Sequence, residues 1–282
     1  MLIRQDLPPL PDPLPVPTTD AHTHLGSTAQ GDGMPELDAI AAALAMNVTR
    51  LVEVGTDVAS SASVVALAEA YPEVIASVAI HPNDAARLGA NLGAELDRLA
   101  ALITTSAKIR GIGETGLDYY RTPEPEGQAL QRQSFATHIG WAKEHDLALV
   151  IHSRDAQDDL LAVLDSEGAP DRVQMHCFSG DAGFAKACLD RGYFLSFAGQ
   201  VTFKANEELR EALDVTPTDR LLVETDAPYL TPMPHRGRPN SSYLLPHTVR
   251  FIAERRGADL AELCQQLDAN ATAVFGEWGE AC

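Results

Sequence analysis

Short apolar or β-branched runs recur along the chain at residues 18–23, 50–54, 74–80, 109–113, 147–151, 172–176, 193–197 and 221–225. Several of them, such as Leu147-Ala148-Leu149-Val150-Ile151, contain no polar position, as expected of parallel strands covered on both faces. Between the runs the spacing becomes helical, over 36–46, 58–70, 84–105, 128–143, 156–166, 183–190 and 206–213. Two further helical segments, 246–256 and 260–275, follow the last run. In 128–143, Phe135, Ile139 and Ala142 fall at i, i+4 and i+7, one face of a helix. Eight strand–helix units predict an α/β fold of the (β/α)8 TIM-barrel type. A doubly wound open sheet is the alternative, but no GxGxxG follows the first run.

No internal repeat or linker interrupts the alternation, which predicts one domain over 18–282. Residues 1–17 stand apart. Six of the ten positions 8–17 are proline, favouring a stiff, extended lead-in with no fold of its own. The length of 282 residues suits one barrel of about 250. No stretch approaches the ~20 consecutive apolar residues of a membrane span, and the lead-in lacks the apolar core of a signal peptide. A cytoplasmic protein without a membrane partner, monomeric or weakly oligomeric, is therefore expected. The cysteines (Cys177, Cys188, Cys264 and Cys282) show no CxxC spacing and read as reduced thiols. A net charge of −19 argues against a broad basic surface but leaves room for a local one, and bound cations would offset part of it.

What changes the picture is where the polar residues fall. His22 and His24, two apart on the first run, project to one face. The third run leads into His81-Pro82, the fourth into Glu114, the fifth into His152, the sixth into His176, and the eighth into Glu224-Thr225-Asp226. In a (β/α)8 barrel those strand ends converge on the active-site face. Five of the nine histidines and three carboxylates at one place call for a compensating cation, because buried unpaired charge is costly. His22, His24, Glu114, His152, His176 and Asp226 offer four imidazoles and two carboxylates. That exceeds one tetrahedral site and suits two adjacent divalent ions bridged by a carboxylate and a water-derived hydroxide. Zinc, manganese or iron fits this mixed donor set, whereas magnesium usually takes more oxygen. His138, His145 and His247 read as solvated or structural, and His235 remains open.

Taken together, DAHTHL (20–25), IHP (80–82), GETGLDYYR (113–121), VIHSRDA (150–156), MHCFSG (175–180), ETDAPYLTP (224–232) and RGRPN (236–240) closely resemble the TatD family of metal-dependent hydrolases, among the amidohydrolase-like barrels. The resemblance runs from about residue 18 to Trp278. It implies 3′–5′ deoxyribonuclease activity, in some members also on RNA, with magnesium, manganese or zinc as the divalent metal. By motif, His22, His24 and Asp226 would hold a first ion, His152 and His176 a second, and Glu114 would bridge both. Asp226 would also accept the proton of the attacking water. Two departures stand out. The family often has a second histidine where this chain has Asn83, and Glu-Pro where it has Ser241-Ser242.

Beside the ligands, His81 could contact the leaving group, orient a ligand, or do neither. Asp118 reads as a partner of a ligand or a loop cap, and Asp20 as a support for the two histidines. Arg121 and Arg154, then Lys204 and Arg236, are the expected phosphate contacts, since phosphate favours cationic forks. Arg238 could equally form a surface ion pair. Tyr119, Tyr120 and Tyr229 could stack on a base or simply pack. The expected partner is single-stranded DNA or a DNA 3′ end. The alternative is a bimetal hydrolase of a small-molecule ester, lactone or amide.

Overall fold

The computed structural model describes residues 7–30 and 34–278, those at 28–30 by backbone only. The first six residues and Cys282 lie outside the described part. The strands are β1 (Thr18–Thr23), β2 (Val48–Val54), β3 (Val74–Val78), β4 (Ile109–Asp118), β5 (Ala148–Arg154), β6 (Val173–Met175), β7 (Phe194–Phe197) and β8 (Leu221–Val223). The helices are α1 (Leu25–Gln30), α2 (Glu36–Ala45), α3 (Val58–Ala70), α4 (Pro82–Leu88), α5 (Leu92–Ile103), α6 (Pro125–Glu144), α7 (Gln157–Glu167), α8 (Ala182–Leu189), α9 (Glu207–Val215), α10 (Leu245–Arg256) and α11 (Leu260–Phe275). The strands pair in chain order from β1 to β8, which is the expected (β/α)8 topology. No described helix is long and apolar enough to cross a membrane.

The chain divides into two compact units. The first comprises Met1–Glu53, Gly180–Arg191 and Leu195–Ala273. In it the end of β1 is fastened to the segment after β8. Asp226 donates its N–H to His22 O (3.0 Å), and His24 donates to Ala227 O (2.9 Å). Asp20, fully buried, accepts from Thr225 N (2.9 Å) and Thr225 Oγ1 (2.6 Å). The described part of the lead-in has no helix or strand before Thr18, yet it does not hang free. Leu7 and Leu14 are buried, and the lead-in carbonyls accept hydrogen bonds from the body of the unit. Tyr243 Oη reaches Pro8 O (2.7 Å), Arg250 reaches Asp12 O and Pro13 O (2.9 and 2.8 Å), and Asn47 Nδ2 reaches Leu14 O (2.6 Å).

The second unit comprises Val54–Ser179, Gly192–Phe194 and Val274–Cys282. Its central feature is an irregularity in the β4–β5 ladder. Ile112 pairs with Leu149 and Thr115 with Ile151, so Gly113 and Glu114 together oppose Val150 alone. Such a bulge re-aims a side chain, and the residue inside it is Glu114. Glycine is required on both sides. A Cβ on Gly113 would lie 2.4 Å from the Val150 Cβ, and one on Gly116 would lie 2.1 Å from His152 O. Gly116 also has φ +133°, open in practice to glycine.

Three of the differences from the expected bounds stand out. The fourth strand runs on to Asp118 rather than ending at 113, because the turn-forming residues of Gly-Glu-Thr-Gly are spent on the bulge. The fifth runs on to Arg154, so His152 lies inside a strand. The segment 84–105 is two helices, parted at Gly89, whose φ of +55° takes it out of the helical region. Replacing Gly116 by alanine should therefore cost about 3 kcal/mol or more of unfolding free energy in urea titrations. A loss under about 1 kcal/mol would show that the strand can give way there.

Candidate metal centre

In the first unit, β1 ends in His22 and His24 with both rings buried. Their Nε2 atoms converge to 3.2 Å, with Asp226 Oδ1 at 4.0 Å from His22 and 3.7 Å from His24. Donors about 2.1 Å from a tetrahedral ion stand roughly 3.4 Å from one another, so these three atoms are close to ligand spacing. Asp226 reaches that position from a backbone at φ +50°, which turns the chain sharply after β8. A carboxylate oxygen of Glu224, fully buried, also lies within 4.8 Å of a His22 ring nitrogen. Its complete burial at the strand end is what sets Glu224 apart from the surface acids. Asp20 grips Thr225, between the two acids. Burial pushes the Asp20 carboxyl up to about 7 against the hydrogen bonds from Thr225 and Ser242. Asn240 of the RGRPN stretch donates to Thr225 O (2.9 Å) and Tyr229 O (2.5 Å), fixing the loop that leaves Asp226.

In the second unit, Glu114 Oε1 is the hub. It lies 2.8 Å from His152 Nδ1, 3.4 Å from His81 Nε2 and 3.4 Å from His176 Nε2. Burial alone would raise the Glu114 carboxyl, but His176, His81 and the His152 hydrogen bond hold it well below the usual range. His152 has a carboxylate on each nitrogen, with Asp118 Oδ2 at 3.3 Å from Nε2. Burial would lower this imidazole, yet the bonds from Asp118 and Glu114 carry it up to about 9. A histidine whose outer N–H rests on a carboxylate is the usual arrangement for a metal ligand. The donor types and spacings in both units thus suit a metal ion.

Asp118 bonds both a site histidine and its own loop. Besides His152 it accepts from Arg121 N (2.9 Å) as a loop cap and from Asn83 Nδ2 (3.1 Å). Burial opposes these bonds but loses, and the carboxyl falls to about 2. Asn83, one of the two departures, is therefore tied into the same network. Its N–H also donates to His81 Nδ1 (3.1 Å), where His81 caps α4. With Nδ1 accepting, the neutral His81 ring carries its proton on Nε2, the atom facing Glu114. Sequence reasoning missed Gln131, a buried amide of α6 that bonds both Asp118 N (2.9 Å) and Asp118 O (3.2 Å). Its one signal is a glutamine on the apolar face of a helix.

His138 is structural. It is fully buried, accepts the Ile80 N–H at Nε2 (3.1 Å) and donates from Nδ1 to Ser134 O (2.7 Å). His145 ends α6, and the His235 and His247 rings pack on each other at 5.2 Å.

The expected phosphate contacts are all exposed. In the second unit the Arg154 guanidinium lies 3.9 Å over the Tyr120 ring, and Arg121 follows that tyrosine. In the first, Arg236 lies 4.4 Å over Phe203, beside Lys204. Arg238 donates to Leu7 O (3.4 Å) of the lead-in. Tyr119 Oη is engaged by Asp159 and Arg132, both at 2.8 Å, in keeping with packing. Tyr229 is largely exposed, edge-on to His24.

A family model described as "TatD related DNase" matches residues 19–276. The chain belongs to the TatD family. It is 44% identical over 260 residues to the "uncharacterized metal-dependent hydrolase TatD" of Mycobacterium tuberculosis, covering 91% of this chain and 97% of that protein. It is 35% identical to the "3'-5' ssDNA/RNA exonuclease TatD" of Citrobacter rodentium, covering 85% and 91%. Among solved structures, the TatD homologue YjjV of Escherichia coli superposes with a TM-score of 0.84 at 27% identity, covering 92% and 98%. The TatD chain is thus a metal-dependent hydrolase.

His138 also gives a measurable pH signature. Burial lowers its imidazole from 6.5 to about 4, against the bond to Ser134. A lowered folded-state value means stability complete above pH 6.5 and lost as pH falls to 4, by about 3 kcal/mol at most. The difference in unfolding free energy between wild type and His138→Gln should shrink across that window. A difference independent of pH would remove this linkage.

Proposed function

We propose that this TatD-family hydrolase is a 3′–5′ exonuclease of single-stranded DNA that works with two divalent ions, magnesium, manganese or zinc. By motif correspondence, His22, His24 and Asp226 would hold one ion and His152 and His176 the other, with Glu114 a ligand common to both. The observation that carries the nucleic-acid reading is Arg154. It stands two residues after His152 on β5, hence on the same side of the strand, with its guanidinium laid over Tyr120 and its exposed end available to a phosphate. The similar C. rodentium protein, named for ssDNA and RNA, points the same way.

Bound divalent ions supply Lewis acidity, lowering the pKa of water and polarising the phosphoryl oxygen. Around them the chain's own groups divide the work. Asp226 accepts the proton of the attacking water as the oxygen–phosphorus bond forms. His81 donates a hydrogen bond from its Nε2–H to the leaving oxygen, which takes up through water the proton Asp226 accepted as the old bond breaks. Asp118 keeps a proton on His152 Nε2 and so presents Nδ1 as the donor. Arg121 and Arg154 neutralise the phosphate, with Lys204 and Arg236 as further contacts. Exposed cations at these few points allow a strand end to approach a protein of charge −19.

Purified protein supplied with each metal in turn should shorten 3′-end-labelled single-stranded DNA. DNA left intact under every metal, beside turnover of an ester, lactone or amide, would replace the nuclease reading with the small-molecule one. Glu114→Ala should lose both ions together in metal analysis; one ion retained at full occupancy would remove the bridge.

A further inference from the structure

Arg210, in α9, is a buried cation that no step above uses. A guanidinium has five N–H donors, and all five are committed here. Nε and Nη2 donate to Glu207 Oε2 (2.9 and 2.6 Å). Nη1 donates to Val201 O (3.2 Å) and Phe203 O (2.5 Å), and Nη2 to Lys204 O (3.0 Å). Three carbonyls of the loop after β7 are thus gathered onto one side chain. That loop presents Lys204 and Phe203, and Phe203 is the surface on which Arg236 lies.

The loop after β8, which begins at Asp226 and carries Arg236, is stitched to the same frame. Met233 N donates to Thr202 Oγ1 (2.9 Å), and Thr202 Oγ1 donates to Gly199 O (2.7 Å). A Cβ on Gly199 would stand 2.1 Å from Leu230 O, so the two backbones touch at that point. Asn206 Nδ2 adds a bond to Gln200 O (2.9 Å). The two loops form one framework around the fork of Arg210.

We propose that Arg210 is the positioning residue of an anion-binding rim formed by Lys204 and Arg236, which takes a phosphate of the nucleic-acid strand. The proposal rests on the nuclease reading for its ligand and on the hydrogen-bond framework for its geometry. Lys204 and Arg236 are long, exposed side chains, and ordering them on a phosphate costs conformational entropy. A fixed carbonyl cradle and an aromatic platform reduce that cost before the strand arrives. Lysine cannot replace Arg210 fully, because an ammonium offers three donors and no planar fork.

The test uses metal-loaded enzyme with Arg210→Met and Arg210→Lys. The KM for a single-stranded oligonucleotide should rise about tenfold in Arg210→Met and less in Arg210→Lys, with kcat and metal content preserved. The KM for bis(4-nitrophenyl) phosphate, which has no second phosphate for the rim to hold, should not move. On an Arg236→Ala background, Arg210→Met should add little further to KM. The dependence of KM on salt should weaken as a phosphate contact is lost. In hydrogen exchange, residues 200–206 and 231–238 should exchange faster together in Arg210→Met. Unchanged KM for the oligonucleotide, or kcat falling in step on both substrates, would overturn the positioning role. Unchanged exchange in the two loops would overturn it as well, even if wild type left DNA intact and the nuclease reading itself failed.

Discussion

A fully buried aspartate ties the first strand to the last. Asp20 takes both the N–H and the hydroxyl of Thr225, and the backbone bonds from Asp226 to His22 and from His24 to Ala227 complete the join. Everything the first unit offers a metal follows from it. His22 and His24 sit near the start of the described chain and Asp226 some two hundred residues later, yet their donor atoms come within 4.0 Å. No local interaction could achieve this. It takes strand order, and Asp20 fastens the result from inside.

The second unit solves a related problem by different means. Its donors lie on neighbouring strands, and the difficulty is to aim a glutamate into a space that a regular β4 would not present it to. The bulge between two obligatory glycines does the aiming. The side chains it brings together then set each other's charge. Glu114 is held ionised by imidazoles, and His152 is held protonated by Glu114 and Asp118.

The alternation of runs and helical segments made the fold class readable from the chain, since periodicity survives without any knowledge of contacts. The position of His22, His24 and His176 at or just past strand ends was readable for the same reason, whereas His152 stands inside β5. The bulge was not, because Gly-Glu-Thr-Gly looks like the end of a strand and only the pairing with β5 shows that the strand continues. Asp118 could be placed near the strand-end histidines, but its simultaneous bonds to Arg121 N and His152 could not be read from the chain. Gln131 and Arg210 escaped notice because their work is done on backbone atoms of distant residues, which leave no motif.

The lead-in illustrates a related point. Every hydrogen bond named above between it and the body of the first unit ends on one of its carbonyl oxygens. A carbonyl is common to all residue types, so such a contact does not select a side chain. Proline suits this role, having no N–H to leave unsatisfied and little freedom to lose on docking. The bonds from Asn47, Arg238, Tyr243 and Arg250 use none of the segment's side chains, so beyond buried Leu7 and Leu14 they place no demand on its residue types. A strap recognised by its main chain can be conserved in place while its letters change.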